Sequence, residues 1–117
     1  MNGPETTFTR LMAVIEDRKA HPSEQSYTST LLAGGAAKIR KKLVEEAAEL
    51  FEAAGEPGEA GREHVIRESA DLVYHWFVLL ALCDITLADV ETELARRFGT
   101  SGLEEKSNRN LGIGDGE

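Results

Sequence analysis

The stretch KKLVEEAAELFEAA, residues 41–54, decides how this chain is read. Its apolar residues recur with the spacing of one helical face. Extended one turn upstream, the seam is Ile39, Leu43, Glu46, Leu50 and Ala53, the alternating four-and-three spacing of residues that meet a partner helix. Glu46 stands where that pattern calls for a leucine. Each helical residue turns about 100°, so Glu49 lies about 60° from Glu46 around the axis. Glu45 and Glu49 are one turn apart, and EEAAE therefore sets three carboxylates along one helical edge.

A second seam repeats the anomaly. Val65, Glu68, Leu72, His75 and Leu79 share a face, with Glu68 and His75 as polar members, and Asp71 follows Glu68 by three. Packed antiparallel, the two helices are predicted to bring four carboxylates together. Unpaired buried charges are costly, so carboxylates massed in this way either stay protonated or neutralise a cation. Hard oxygen ligands without Cys or a His cluster favour Mg²⁺, or Mn²⁺, over zinc. A competing reading pairs these glutamates with Lys38, Lys41 and Lys42 on a solvated face. The recurrence of a carboxylate pair on the apolar seams of two consecutive helices favours the site. His75 is read as a hydrogen-bonded core histidine or as a support for a neighbouring carboxylate.

The surrounding sequence is helical throughout. Thr7 to Lys19 reads as a first helix with Phe8, Leu11, Val14 and Ile15 on one face, closed by His21-Pro22. Residues 22–29 read as a loop followed by a short helical turn that Gly34-Gly35 interrupts. Ala36 to Ala54 is the second long helix, GEPGEAG (55–61) a glycine-rich connection, and Arg62 to Asp84 the third. Thr86-Leu-Ala-Asp89 has the form of a capping box and opens a fourth helix ending near Phe98. No segment alternates like a strand. The fold class expected is an all-α bundle of about four helices, one domain over residues 1–109 with a disordered tail at 110–117.

Bulk properties narrow the function. With 117 residues, a homodimer would help to bury the 41% of the chain that is apolar. Cys83 is the sole cysteine, which excludes an intrachain disulfide and is expected to be a buried thiol in a reducing compartment. The N-terminus lacks a signal-peptide pattern, and no apolar run is long enough to span a bilayer, so a cytoplasmic location without membrane partners is expected. The formal net charge of −8, from 21 acidic and 13 basic residues, argues against nucleic-acid binding. It also means that a phosphate-bearing substrate needs a cation to reverse the local charge.

Glu46-x-x-Glu49 followed by Glu68-x-x-Asp71 resembles the ExxE and ExxD signature of the all-α, MazG-like nucleoside-triphosphate pyrophosphatases. SYTSTLL (26–32), KIRKKLVEEAAE (38–49), ESADLVYHWFVLL (68–80) and SGLEEKSNR (101–109) are similar to the phosphoribosyl-ATP pyrophosphohydrolase family of histidine biosynthesis. The resemblance runs from about Phe8 to Arg109. It implies hydrolysis of phosphoribosyl-ATP to phosphoribosyl-AMP and pyrophosphate by Mg²⁺-assisted attack of water, in a helical homodimer or higher assembly. On this reading Glu46, Glu49, Glu68 and Asp71 hold the metal, and Glu45, Glu46 and Glu49 serve the chemistry, with Glu45 either a ligand or a base. Lys38 and Lys42 face phosphate or form an ordinary solvated face. Ser26, Tyr27 and Thr28 contact substrate or cap a helix, and Lys106 and Arg109 contact phosphate. The rival readings are a house-cleaning pyrophosphatase for non-canonical nucleotides and a non-enzymatic helical interaction module.

Overall fold

The computed structural model describes residues 5–99. Four helices follow one another: α1 (Thr7–Ala20), α2 (Tyr27–Ala54), α3 (Gly58–Leu82) and α4 (Leu87–Gly99). No strand occurs among the described residues. The segments expected at 101–109 and 110–117, with Lys106 and Arg109, lie outside them. The described chain falls into two compact units, one ending at Ile85 and one beginning at Thr86.

Caps set most helix boundaries. Thr6 accepts from the Thr9 amide at 3.1 Å and opens α1. Ser26 does the same for α2, accepting from the Ser29 amide at 3.1 Å. The loop therefore ends at Ser26, and α2 runs from Tyr27 rather than from Ala36, taking in the short helical turn expected from Ser29. In the second unit, Thr86 and Asp89 form the reciprocal bonds of a capping box, at 3.0 and 2.9 Å. Within α4, Leu94 and Phe98 are exposed.

The first unit is built on α2 and α3, with α1 laid against both. A tight turn at Gly55–Pro57 makes α2 and α3 antiparallel neighbours, and α3 begins at Gly58, four residues before the predicted start. The glycine-rich connection is thus mostly helix. Gly61 is buried beneath the turn, where a Cβ would sit 2.2 Å from the Glu56 carbonyl oxygen. Only glycine lets the first turn of α3 come this close to the end of α2.

The predicted seams face inward. Ile39, Glu46 and Ala53 are buried along α2, and Leu43 and Leu50 half-buried. On α3, His75 is buried and Val65, Glu68, Leu72 and Leu79 are half-buried. Phe77, Val78, Leu80 and Ala81 complete the core with Met12 and Ile15 of α1 and Leu31 of α2. The expected face of α1 needs correction. Met12 and Ile15 carry its burial, whereas Val14 is 47% exposed. α1 rests in one groove, and only the stripe facing that groove is covered. Phe8 is also half-exposed, yet its ring meets Phe77 edge-on at 5.8 Å.

Gly35 breaks α2, with φ 79° and ψ −171°. The consequence follows from helix geometry. Glu46 and Glu68 lie equally far from Pro57 on either side of the turn, so in a straight hairpin His75 would face Ile39. Tyr27 would then stand about 18 Å further along the axis. Instead the Tyr27 hydroxyl lies 3.1 Å from His75 Nε2. The break at Gly35 thus turns the first two turns of α2 back against α3, where Thr28 also meets the Tyr74 hydroxyl.

At the far end, α3 stops at Cys83, and Asp84 adopts the left-handed conformation with φ 60°. Aspartate is among the few side chains that tolerate it. Lys19 donates to the Ala81 carbonyl at 2.6 Å and to the Asp84 carboxylate, tying the last turn of α1 to the last turn of α3. Cys83 is exposed rather than buried, because it caps the helix instead of extending its apolar face.

The Gly61 contact yields the first prediction. Gly61→Ala is expected to destabilise the protein by about 1–3 kcal/mol, since a backbone carbonyl rather than a flexible side chain must move. Urea unfolding of the two proteins side by side would measure it, and an unchanged midpoint would show that the turn has room.

Candidate active site

The α2–α3 hairpin places Glu46 opposite Glu68 and Asp71. Glu46, Glu68 and Asp71 each offer a carboxylate oxygen within 4.8 Å of the others, and their burial falls from buried through half-buried to exposed. The Glu46 side is closed: its residue is only 8% exposed. Glu46 Oε1 and Glu68 Oε1 are both buried and have no hydrogen-bond partner among the described residues. Two carboxylates that face each other cannot satisfy one another while both are ionised.

One proton resolves the conflict in the absence of a cation. Burial pushes the Glu46 carboxyl up to about 7, helped by a hydrogen bond to Glu68 and by the charges of Asp71, Glu68 and Glu49. Glu68 moves the opposite way, held below the usual range chiefly because it accepts from Glu46, with His64 adding to the effect against the opposing burial. Of the two, Glu46 is thus the carboxyl shifted toward its protonated form and Glu68 the one shifted toward its ionised form. Glu49 lies outside the close group of three. It approaches Glu68 from the next turn of α2, and its carboxyl is raised by a hydrogen bond shared with Glu68 and by that residue's charge. Glu45 is exposed and forms an ion pair with Lys42 at 3.5 Å.

The donor set fits a hard divalent cation. All three close groups are carboxylates, two of their oxygens lack donors, and the open side at Asp71 leaves room for further oxygen ligands. Charge marks this site more clearly than shape. A shallow concavity lined by Pro22, Ser23, Glu24, Ser29, Thr30 and Ala33 contains none of the cluster.

The remaining sequence-derived candidates are placed as follows. Lys42 is half-buried, and Tyr27, then Glu45 and Glu46, hold its ammonium above the ordinary range against a small opposing effect of burial. Lys38 is exposed one turn earlier. Ser26 is the α2 cap. Thr28 is buried against Tyr74, and Tyr27 is half-exposed with its hydroxyl on His75 and its ring stacked on Tyr74 at 6.2 Å. His75 Nδ1 donates to the Asp71 carbonyl at 2.9 Å, and Nε2 meets the Tyr27 hydroxyl. His75 is therefore a buried residue bonded at both ring nitrogens, one turn behind Asp71.

Sequence reasoning missed His64 and Glu56. His64 Nδ1 lies 3.0 Å from Glu56 Oε1 and its Nε2 lies 3.3 Å from Glu68 Oε2. The contact with Glu56 is a hydrogen bond and that with Glu68 an ion-pair contact, and the hydrogen bond to Glu56 leads the causes that raise the imidazole above its ordinary range. The four-residue spacing of His64 and Glu68 was visible in the sequence. The link to Glu56 was not, because 55–61 read as a flexible connection.

An all-α bundle that gathers carboxylates from two antiparallel helices has the construction of the MazG-like class. The sequence profile of the phosphoribosyl-ATP pyrophosphohydrolase family matches residues 8–98. The chain is 55% identical over 100 residues to a phosphoribosyl-ATP pyrophosphatase of Rhodopirellula baltica, covering 86% of this chain and 83% of the relative. It is 54% identical over 96 residues to that of Geotalea daltonii, covering 82% and 88%. With that of Geobacter sulfurreducens it shares 47% over 110 residues, covering 94% and 99%. The chain belongs to the phosphoribosyl-ATP pyrophosphohydrolase family, a family of hydrolases.

The shared proton predicts a pH dependence. The folded value of Glu46 lies above its unfolded one, so its contribution to stability is fully present below about pH 4.5 and is lost as pH rises through about 7. Glu49 and His64, both raised, act in the same direction. Glu68, which is lowered, acts below this window. In excess EDTA the protein is expected to lose about 2 kcal/mol between about pH 5 and about pH 8, and Glu46→Gln to lose much less. Urea unfolding across that range would compare the slopes. Equal slopes in both proteins would rule out a buried proton on Glu46.

Proposed function

We propose that this enzyme hydrolyses phosphoribosyl-ATP to phosphoribosyl-AMP and pyrophosphate, the second step of L-histidine biosynthesis, with Mg²⁺ or Mn²⁺ held by Glu46, Glu68, Asp71 and Glu49. The substrate assignment rests on the family and on the names of its relatives. One observation carries the cation: the buried, donorless oxygens of Glu46 and Glu68 inside a cluster of like charge. When bound, such a cation neutralises the triphosphate and stabilises charge developing on the leaving pyrophosphate.

The chain's own residues divide the remaining work. Glu46 and Glu68, once ionised, would hold the cation through their buried oxygens. Asp71, on the open side, and Glu49, on the turn beside Glu68, complete the carboxylate set. Glu45 is exposed and sits next to the set, so it is the carboxylate free to take a proton from the attacking water. Its ion pair with Lys42 brings an ammonium to the rim, where phosphate oxygens of the substrate exchange for Glu45 as partner. Lys38 extends the basic edge by one turn. Lys106 and Arg109 remain in the proposed phosphate-binding set on the strength of the resemblance. The hydroxyls of Ser26 and Thr28 brace the fold, whereas Tyr27, half-exposed between His75 and Lys42, is the member of that segment placed to touch substrate.

The proposed assembly is a homodimer in the cytoplasm, without nucleic-acid or membrane partners. Val44 and Phe51, two turns apart on the side of α2 turned away from Glu46, are 59% and 76% exposed, and Val44 borders an apolar groove with Ala36, Ala37, Leu43 and Leu79. Among the described residues no single helix is long and apolar enough to cross a membrane.

Three outcomes are expected. Pyrophosphate is released from phosphoribosyl-ATP with Mg²⁺ and not in excess EDTA, while ATP is left intact. Hydrolysis of a different nucleotide instead would leave the carboxylate site standing and remove the substrate. Glu49→Gln and Asp71→Asn each lower turnover by more than about 100-fold, and near-normal turnover in either variant would remove that residue from the site. Phe51→Glu sediments as a monomer where the wild type sediments as a dimer, and unchanged sedimentation would place the interface elsewhere.

A further inference from the structure

We propose that His64 is a positioning residue for Glu68, anchored in turn by Glu56, and that this chain of three side chains sets the affinity of the carboxylate centre for its cation. The proposal rests on the cation reading above and concerns a residue which that reading does not use. A glutamate side chain has three torsions, and its terminal one is broad, so a cluster carboxylate needs an outside contact to keep one oxygen aimed inward. For Glu68 that contact is His64 Nε2, 3.3 Å from Oε2. With Oε2 taken, Oε1 is left as the buried oxygen without a donor, beside Glu46 and Asp71. His64 sits one helical turn before Glu68, the spacing at which side chains on a helix meet.

The anchor lies on the other side of the ring. Nδ1 donates to Glu56 Oε1 at 3.0 Å. Glu56 lies in the turn between α2 and α3, and its carbonyl lies directly over the Cα of Gly61, where no side chain fits. The turn cannot shift without moving the first turn of α3, so Glu56 is a fixed post rather than a loose loop side chain. His64 is held at both nitrogens, and its side chain is 29% exposed against 13% for Glu68. It therefore walls the Glu68 carboxylate on the turn side while Asp71 leaves the opposite side open. A contact that fixes a ligand's oxygen changes cation affinity without touching cation or substrate.

The test separates positioning from simple stapling of the turn. Mn²⁺ is titrated calorimetrically into the metal-free wild type and into His64→Ala, His64→Phe and His64→Gln, with thermal unfolding of each. Pyrophosphate release is then followed against Mn²⁺ concentration. His64→Ala and His64→Phe are expected to weaken Mn²⁺ binding about tenfold, and to regain near-wild-type kcat once Mn²⁺ is saturating. His64→Gln, which keeps an N–H for Glu68, recovers part of the affinity. Glu56→Gln, which keeps an acceptor but loses its charge, shows a smaller loss. His64→Phe preserves ring bulk, so it decides the matter if His64→Ala does not fold. Wild-type Mn²⁺ affinity in His64→Phe, whatever its melting temperature, overturns the proposal and leaves the cation site intact. A wild type that binds no Mn²⁺ yet releases pyrophosphate overturns the cation reading and this proposal together.

Discussion

Two carboxylates facing each other between packed helices make up the constraint on which the rest of this structure depends. Glu46 and Glu68 each bury an oxygen that finds no donor among the described residues. Like charges at this separation, partly out of water, repel strongly enough that one must hold a proton or both must share a cation. A loop would relieve the conflict by moving. Helices do not, and the seam that carries these residues also carries Ile39, Ala53 and His75, which are buried in the same interface. The unfavourable arrangement persists because displacing it would unpack the hairpin. The chain therefore stores at one place an electrostatic imbalance that a divalent cation can relieve.

Much of the remaining polar structure serves to make that hairpin rigid. The turn is locked by Gly61 beneath the Glu56 carbonyl. The opposite end is held by Lys19, which joins α1 to the last carbonyls of α3. Between them, the break at Gly35 returns the start of α2 to α3, so that Tyr27 and Thr28 bond to His75 and Tyr74. His75 in turn bonds the backbone of Asp71. The Glu68 carboxylate through His64, and the backbone that carries Asp71 through His75, thus lead back to fixed points of the fold. This is the pattern expected when geometry within a fraction of an ångström matters to a site.

The proposed function requires an acidic protein to take a more acidic substrate. A net charge of −8 would repel a triphosphate. In the proposed function a cation held at the carboxylates would invert the local sign, and the Lys42 ammonium, paired with Glu45, would extend the inverted region along α2.

The sequence by itself determined the helices and their inward faces. A seam spacing of threes and fours is a local property of a helix, and it placed Glu46 and Glu68 on facing seams, while Gly34-Gly35 marked the interruption; of the four carboxylates expected together, three are, with Glu49 outside the close group. It erred where boundaries depend on close approach. Residues 55–61 are rich in glycine, which reads as flexibility, yet Gly61 is where the two helices come close, and α3 starts at Gly58. Cys83 looked like core because its neighbours are apolar, but a helix end is exposed whatever precedes it. How burial and neighbouring charge push Glu46 and Glu68 in opposite directions, and what holds them in place, came from the tertiary structure alone. Those facts depend on distances between side chains from different helices, such as Glu56 to His64 and Tyr27 to His75. A periodic pattern places residues on faces, but it carries no information about how far one face lies from the next.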